Sequence, residues 1–324
     1  MDLFFPVENV KEIVLYLRLM SLRKNAGLIL VLLFFCLTKV LAEQKKPIPL
    51  AINGVIDLRQ QSFEVEIPLN GQWFFYWKQL LDPNENKRTA GHLVDFPSRW
   101  TDITTDGQKL PAFGYATYKL KVLLPSTTRP LSIVMPDTYS AYSLYINGIL
   151  LAANGTVSTT KKGFIPYWQG KIINLPTGTA VINMTLQIAN FAHQRGGIAE
   201  KIFIGQKEQV ILKRHGSDAI DLLLTGCLLM GGIFFLGLYL VGNKDKAILF
   251  FALFSIVYSY RIIGADNYIL HKLLPDLSWY LTIRLEYISL YLGIGLFGVF
   301  TRCLYPEDCH KSVALVVSGL CFSF

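Results

Sequence analysis

Between residues 43 and 215 the chain alternates apolar and polar positions over short runs, the period of a half-buried strand. Ser62–Leu69 (SFEVEIPL) and Tyr115–Leu124 (YATYKLKVLL) both do so, and the second places Tyr118, Leu120 and Val122 on one face. Leu131–Met135, Tyr142–Ile146, Ile149–Ala152, Val181–Ala189 and Lys201–Ile204 read as further strands, rich in β-branched and aromatic residues. Asn147-Gly148 falls between two of these runs, and because both residue types accept positive φ the pair predicts a tight hairpin. Seven or eight short strands bounded by Pro, Gly and Asn, with no long amphipathic helix, predict an all-β antiparallel sandwich or jelly roll.

The pattern then changes. Leu222–Val241 is about 20 residues without a charge, enough at ~1.5 Å per residue to cross a ~30 Å hydrocarbon core. Further apolar runs follow, giving spans at about 219–241, 247–263, 279–301 and 312–324, the last incomplete. Trp279 and Tyr280 suit the interface at the head of the third. Because the fourth run is short of a span, the sequence reads as part of a longer protein. The start of the chain reads as an address: Arg18, Arg23 and Lys24 precede the apolar Ala26–Leu37, and Val40-Leu41-Ala42 fits signal peptidase. Met20 as the true start, and an uncleaved anchor because of Lys39, both stay open. The expected partition is a signal peptide over 1–42, an exported sandwich over 43–216 and a transmembrane bundle over 217–324. Lys244, Lys246, Arg302 and Lys311 fall in the loops this topology puts in the cytoplasm, against Lys272 outside.

Composition narrows the function. The chain is 52% hydrophobic with a formal charge of +8, yet it has no basic stripe, basic helix or zinc-finger spacing, which excludes nucleic acid as a partner. None of the five cysteines lies between residues 43 and 215, and no metal-ligand spacing occurs. There is no nucleophile elbow, Walker loop, HExxH or kinase signature, and Asp57, Glu64, Glu66 and Asp102 are too scattered for a glycosidase pair. An enzyme, a cofactor and a metal are therefore not expected in these residues.

Ligand binding is the better expectation. Sugar sites set aromatic rings against a pyranose face and surround its hydroxyls with hydrogen-bonding side chains. The loops Arg99–Asp102, Pro111–Tyr115, Tyr139–Tyr142, Phe164–Trp168 and Asn190–Arg195 carry such residues. The candidates are Trp100, Tyr115, Tyr139, Trp168, Asn190, His193 and Arg195, with Gly196-Gly197 allowing close backbone approach. The alternative for Asn190 is a turn in which it satisfies local backbone groups, that for Trp168 is a place in the core, and Trp73, Tyr76 and Trp77 read as core. In the bundle, Arg261 and Glu286 either pair between helices or, in the case of Arg261 and Arg284, snorkel to headgroups.

Two resemblances add to this. Gly71-Gln72-Trp73-Phe74-Phe75, Trp100, Gly114–Tyr118, Tyr142-Ser143-Leu144-Tyr145-Ile146-Asn147-Gly148, Gly155 and Ala189-Asn190 follow an order that resembles the galactose-binding-like jelly roll of family 2 glycoside hydrolases. Those enzymes keep their catalytic carboxylates in a separate barrel. The whole layout resembles the bacterial seven-transmembrane receptors with diverse intracellular signalling modules, the 7TMR-DISM family, on Gly232–Tyr239, Asn243–Lys246 and Ile263–Asn267. That resemblance implies seven helices leading to a cytoplasmic output module such as a histidine kinase or cyclase, in the bacterial inner membrane. The sequence departs from the pattern by ending in the fourth helix. The expected function is a membrane receptor whose exported sandwich binds a small, carbohydrate-like ligand, with membrane lipid and a cytoplasmic signalling module as further partners. The alternative is an anchored module that docks another envelope protein.

Overall fold

The computed structural model describes residues 48–84, 91–105, 107–125, 129–138, 140–242, 244–265, 268–307 and 311–323. The expected signal peptide, Tyr139 and Asp266-Asn267 lie outside the described residues.

Among the described residues eleven strands build two sheets: β1 (Val55–Asp57), β2 (Ile67–Pro68), β3 (Gly71–Trp77), β4 (His92–Phe96), β5 (Gly114–Leu123), β6 (Leu131–Met135), β7 (Ala141–Ile146), β8 (Ile149–Asn154), β9 (Lys171–Asn174), β10 (Val181–Asn190) and β11 (Phe203–Gln206). The larger sheet has seven strands, in the order β8-β7-β10-β5-β3-β4 with β1 parallel to β5 beside it. The smaller has the order β9-β6-β11-β2. β5 and β10 pair over their whole length, from Gly114 opposite Asn190 to Leu123 opposite Val181. Alternation makes this pair work: Tyr118, Leu120 and Val122 point inward and are buried, as are Ile182, Met184, Leu186 and Ile188 facing the same core. The smaller sheet closes that core with Ile133, Met135, Ile173 and Ile204. Trp73 stacks on Phe96 at 3.9 Å between ring centroids, and its indole N–H donates to the Leu69 carbonyl at 2.9 Å. The Asn147-Gly148 turn joins β7 to β8 with both residues at positive φ (50° and 85°).

Two expectations about strands need correction. Ser62–Leu69 is not a continuous strand, because Phe63 takes a left-handed φ of 57°. That twist buries the Phe63 ring and turns Val65 to solvent at 78% exposure, leaving only Ile67–Pro68 in a sheet. Conversely β1, β3, β4 and β9 form where no strand is anticipated. The run GQWFFYW buries aromatic side chains without strict alternation, so its period is hard to see.

The helices are α1 (Lys207–Val241), α2 (Lys246–Gly264), α3 (Ile269–Leu273), α4 (Trp279–Leu304) and α5 (Lys311–Phe322). α1, α2 and α4 are long and apolar enough to cross a membrane. α1 starts at the residue after β11, earlier than its apolar run, and its first turns lie on the smaller sheet with Val210 buried and Lys213 paired to Glu66. Asp245 caps α2 by accepting the Ala247 N–H at 2.9 Å. α1 and α2 pack closely where Gly232 meets Ala252 and Ile256; a Cβ on Gly232 would stand 2.7 Å from the Ile256 side chain.

Candidate functional site

β10 ends in Asn190, and the loop behind it is organised by that side chain. Asn190 Nδ2 donates to the carbonyls of Ala112 (2.9 Å) and His193 (2.6 Å), while Oδ1 accepts the His193 N–H at 3.0 Å. Asn190 is fully buried, so its hydrogen-bonding capacity is spent on the turn and not on a ligand. His193 is also buried, and its Nδ1 accepts the Arg195 N–H at 3.1 Å. Burial, followed by the Arg195 charge, holds His193 below the ordinary histidine pKa.

Gly196 has a steric reason. A Cβ there would meet Trp100 Nε1 at 1.8 Å and the Ala112 carbonyl at 2.3 Å. Trp100 is accordingly enclosed: its N–H donates to Ala112 O at 3.0 Å and Trp77 lies edge-on at 5.1 Å. With no exposed surface, Trp100 offers no face to a sugar ring. Gly197, at φ 90°, pairs with Arg99 in a short two-stranded ribbon. Tyr115 is half-buried in a small apolar cluster with Ala141, Phe164, Ala189 and Phe191.

The loop and the ribbon border a cleft of about 200 Å³ lined by Arg99, Asp137, Thr138, Arg195, Gly197, Ala199 and Glu200. Among the described residues Arg195 alone of the sequence candidates lines it, and the structure does not bring Trp100, Tyr115, Trp168, Asn190 and His193 together around one opening. Asp137, Thr138 and Glu200 carried no signal, since each sits in an ordinary polar connection; Arg99 was visible only as the neighbour of Trp100. Among the described residues no group of three or more His, Cys, Asp and Glu side chains could hold a metal.

Trp168 takes the core alternative. It is fully buried, not an open platform, because the segment between β8 and β9 carries it onto the corner of the helical region. Its ring lies 4.9 Å from Tyr268, 5.6 Å from Trp279 and 6.3 Å from His271, between centroids. Tyr167 OH donates to the Pro275 carbonyl at 3.1 Å, and Asn154 Nδ2 steadies this segment from β8 by donating to Tyr167 O at 3.0 Å. α3 is fixed to both neighbouring helices: Lys272 pairs with Asp218 of α1 at 2.5 Å, and His271 Nε2 bonds Thr282 Oγ1 of α4 at 3.2 Å. His271 is fully buried, which lowers its pKa. Ala192, from the loop after Asn190, packs on the same aromatic cluster.

Deeper along the helices, Arg261 Nη1 of α2 lies 3.3 Å from Glu286 Oε1 of α4, and 3.4 Å from the Glu286 carbonyl. The side chains are 28% and 15% exposed, whereas Arg284 is exposed.

A β-sandwich continuous with apolar helices defines a membrane protein with a folded domain seated on its helical region. Residues 217–324, a third of the chain, match the model of the 7TM diverse intracellular signalling family (7TMR-DISM). No curated protein matches the chain. Among solved structures, it is similar to a Faecalibacterium prausnitzii β-glucuronidase (13% identity, TM-score 0.34), over 43% of this chain and 31% of that one. A Ruminococcus gnavus β-glucuronidase gives 15% identity and a TM-score of 0.33, over 45% and 29%. A glycosyl hydrolase family 2 member from Bacteroides cellulosilyticus gives 10% and 0.34, over 43% and 20%. The chain thus spans less than a third of these proteins' own length, and the overlaps bring no activity or ligand to it.

Proposed function

We propose that the chain is the sensing part of a membrane receptor, in which the sandwich binds a small polar, carbohydrate-like ligand and passes the event to the helices. One observation carries this reading: the loop from Asn190 to Gly197 faces two ways. Arg195 and Gly197 border the cleft, while Ala192 packs on the Trp168–Tyr268–Trp279 cluster where sandwich and helices meet. A ligand that favours one position of this loop therefore favours one packing of the helices, which is what population shift requires. The sandwich lies on the exported side of a bacterial inner membrane, in keeping with the basic residues Lys244, Lys246 and Arg302 at and between the helix ends, and an output module in the cytoplasm receives the signal. Docking of another envelope protein is the weaker reading, because the large apolar side chains exposed on the sandwich are mostly scattered aliphatics, with Phe113 the one strongly exposed aromatic among the described residues.

The test is ligand-independent. Ala192→Leu, which presses on the aromatic cluster, should alter amide hydrogen exchange in nanodiscs both at 195–200 and at 268–283. A change confined to one of the two segments refutes coupling. For orientation, Thr159→Cys in a cysteine-free background should react with an impermeant maleimide in spheroplasts and Lys244→Cys only after permeabilisation; the reverse pattern refutes the topology.

A further inference from the structure

We infer that the cleft beside Arg99 is built for a small hydroxylated carboxylic acid, a sugar acid in the simplest case, and not for a neutral sugar. The inference rests on the sensor reading above and deepens it by naming the ligand class. Two groups carry it. Arg99 is half-buried and lines the cleft, and its side chain makes no hydrogen bond or ion pair among the described residues. A guanidinium presents donors in a planar fork that matches a carboxylate, and a partly desolvated one gains most from such a partner. Beside it, Thr138 is buried to 2% exposure and its hydroxyl has no partner among the described residues. A buried hydroxyl without a partner is costly, and a ligand oxygen within reach of it removes that cost.

Arg195 adds a second cation to the rim, and the backbone helps, since Gly197 at positive φ leaves no Cβ in the way. The charges of both arginines reach His193, lowering its pKa after burial has done so. Asp137 and Glu200 line the same space. Carboxylates repel an acid group but accept from hydroxyls, so the ligand they suit carries its acid toward Arg99 and hydroxyls elsewhere. The volume of about 200 Å³ lies below the ~300–1,000 Å³ of sites for drug-sized molecules, which limits the ligand to about one sugar unit.

The experiment measures binding of D-galacturonate, D-galactose and succinate to the full chain in nanodiscs by calorimetry. Galacturonate is expected to bind at least tenfold tighter than galactose, which lacks the acid, and tighter than succinate, which lacks the hydroxyls. Arg99→Gln should lower galacturonate affinity at least tenfold, a larger loss than any for galactose; Thr138→Val should lower it several-fold. If Arg99→Gln fails to fold, Arg195→Gln, at an exposed position, reads the same effect. Equal affinity for galactose overturns the acid class while leaving the sensor reading standing, and equal affinity for succinate overturns the role given to hydroxyls. Galacturonate binding that survives the arginine substitutions, or no binding by any of the three at 10 mM, overturns the proposal. The sensor reading falls separately, on the Ala192→Leu exchange pattern.

Discussion

Removing the Trp168 side chain should unfasten the sandwich from the helices without unfolding the sandwich. Trp168 is fully buried, but in a cluster with Tyr268 and Trp279 that is separate from the main sandwich core around Trp73, Phe75 and Tyr118. Truncation of a buried Trp to Ala costs about 3–5 kcal/mol. Aromatic contacts of the kind it makes with Tyr268 and Trp279 supply about 0.5–1.5 kcal/mol each beyond burial. Because the cost falls on the joint, local opening there should become about 3 kcal/mol easier, or roughly a hundredfold faster amide exchange at ~1.4 kcal/mol per decade. The assay is hydrogen exchange of Trp168→Ala in nanodiscs, read at 268–283 against β5 and β10. Tyr167→Phe, which deletes only the hydrogen bond to Pro275, is worth about 1 kcal/mol and should accelerate the same peptides only about fivefold. Equal acceleration in β5 and β10 would show that Trp168 supports the sandwich itself, and unchanged exchange at 268–283 would remove it from the joint; either result refutes the reasoning.

Gly196→Ala should destabilise the sandwich by about 1–3 kcal/mol, since the new methyl collides with the Trp100 indole and the Ala112 carbonyl; chemical denaturation read by tryptophan fluorescence checks it, and wild-type stability would contradict it. His193 and His271 both have pKa values depressed by burial, so the folded state binds fewer protons than the unfolded chain below about pH 6.5 and stability should fall as pH drops from 7 to 5. Thermal melts should show a shallower fall in His271→Gln; a steeper one, or a melting temperature that rises on acidification, would count against buried neutral histidines. Arg261→Glu and Glu286→Arg should each destabilise the helices by about 1–3 kcal/mol, less than for a fully buried pair, and the double reversal should recover most of the loss in membrane expression. No recovery would mean that the two charges do not depend on each other.

Much of the fold was legible wherever a residue's environment is set by its neighbours in the chain. The alternation of Tyr118, Leu120 and Val122 gave β5, the Asn147-Gly148 pair gave the hairpin, and the uncharged runs gave the long helices. The pattern misled where a single backbone angle intervened, as at Phe63, and fell silent where both faces of a strand are covered, as in β3. The site was less legible. Trp100 and Trp168 look like platforms in sequence because nothing local shows that Gly196 and Ala112, or Tyr268 and Trp279 about 100 residues on, will enclose them. Asn190 and Arg195 stand five positions apart in one polar stretch, yet the first is consumed by the turn and the second borders the cleft. Arg261 and Glu286 could be named in sequence as one of two alternatives, a pair or snorkelling to headgroups, because charges in apolar helices have few favourable neighbours; only the structure sets them 3.3 Å apart.

The peptide between Gln206 and Lys207 is the last of a strand and the first of a helix at once, so the chain has no slack there. Each residue inserted at that point would turn the helix by about 100° and lift the sandwich by ~1.5 Å, pulling Lys213 out of phase with Glu66. Sandwiches exchanged between chains of this layout should therefore function only when the residue count across the seam is kept.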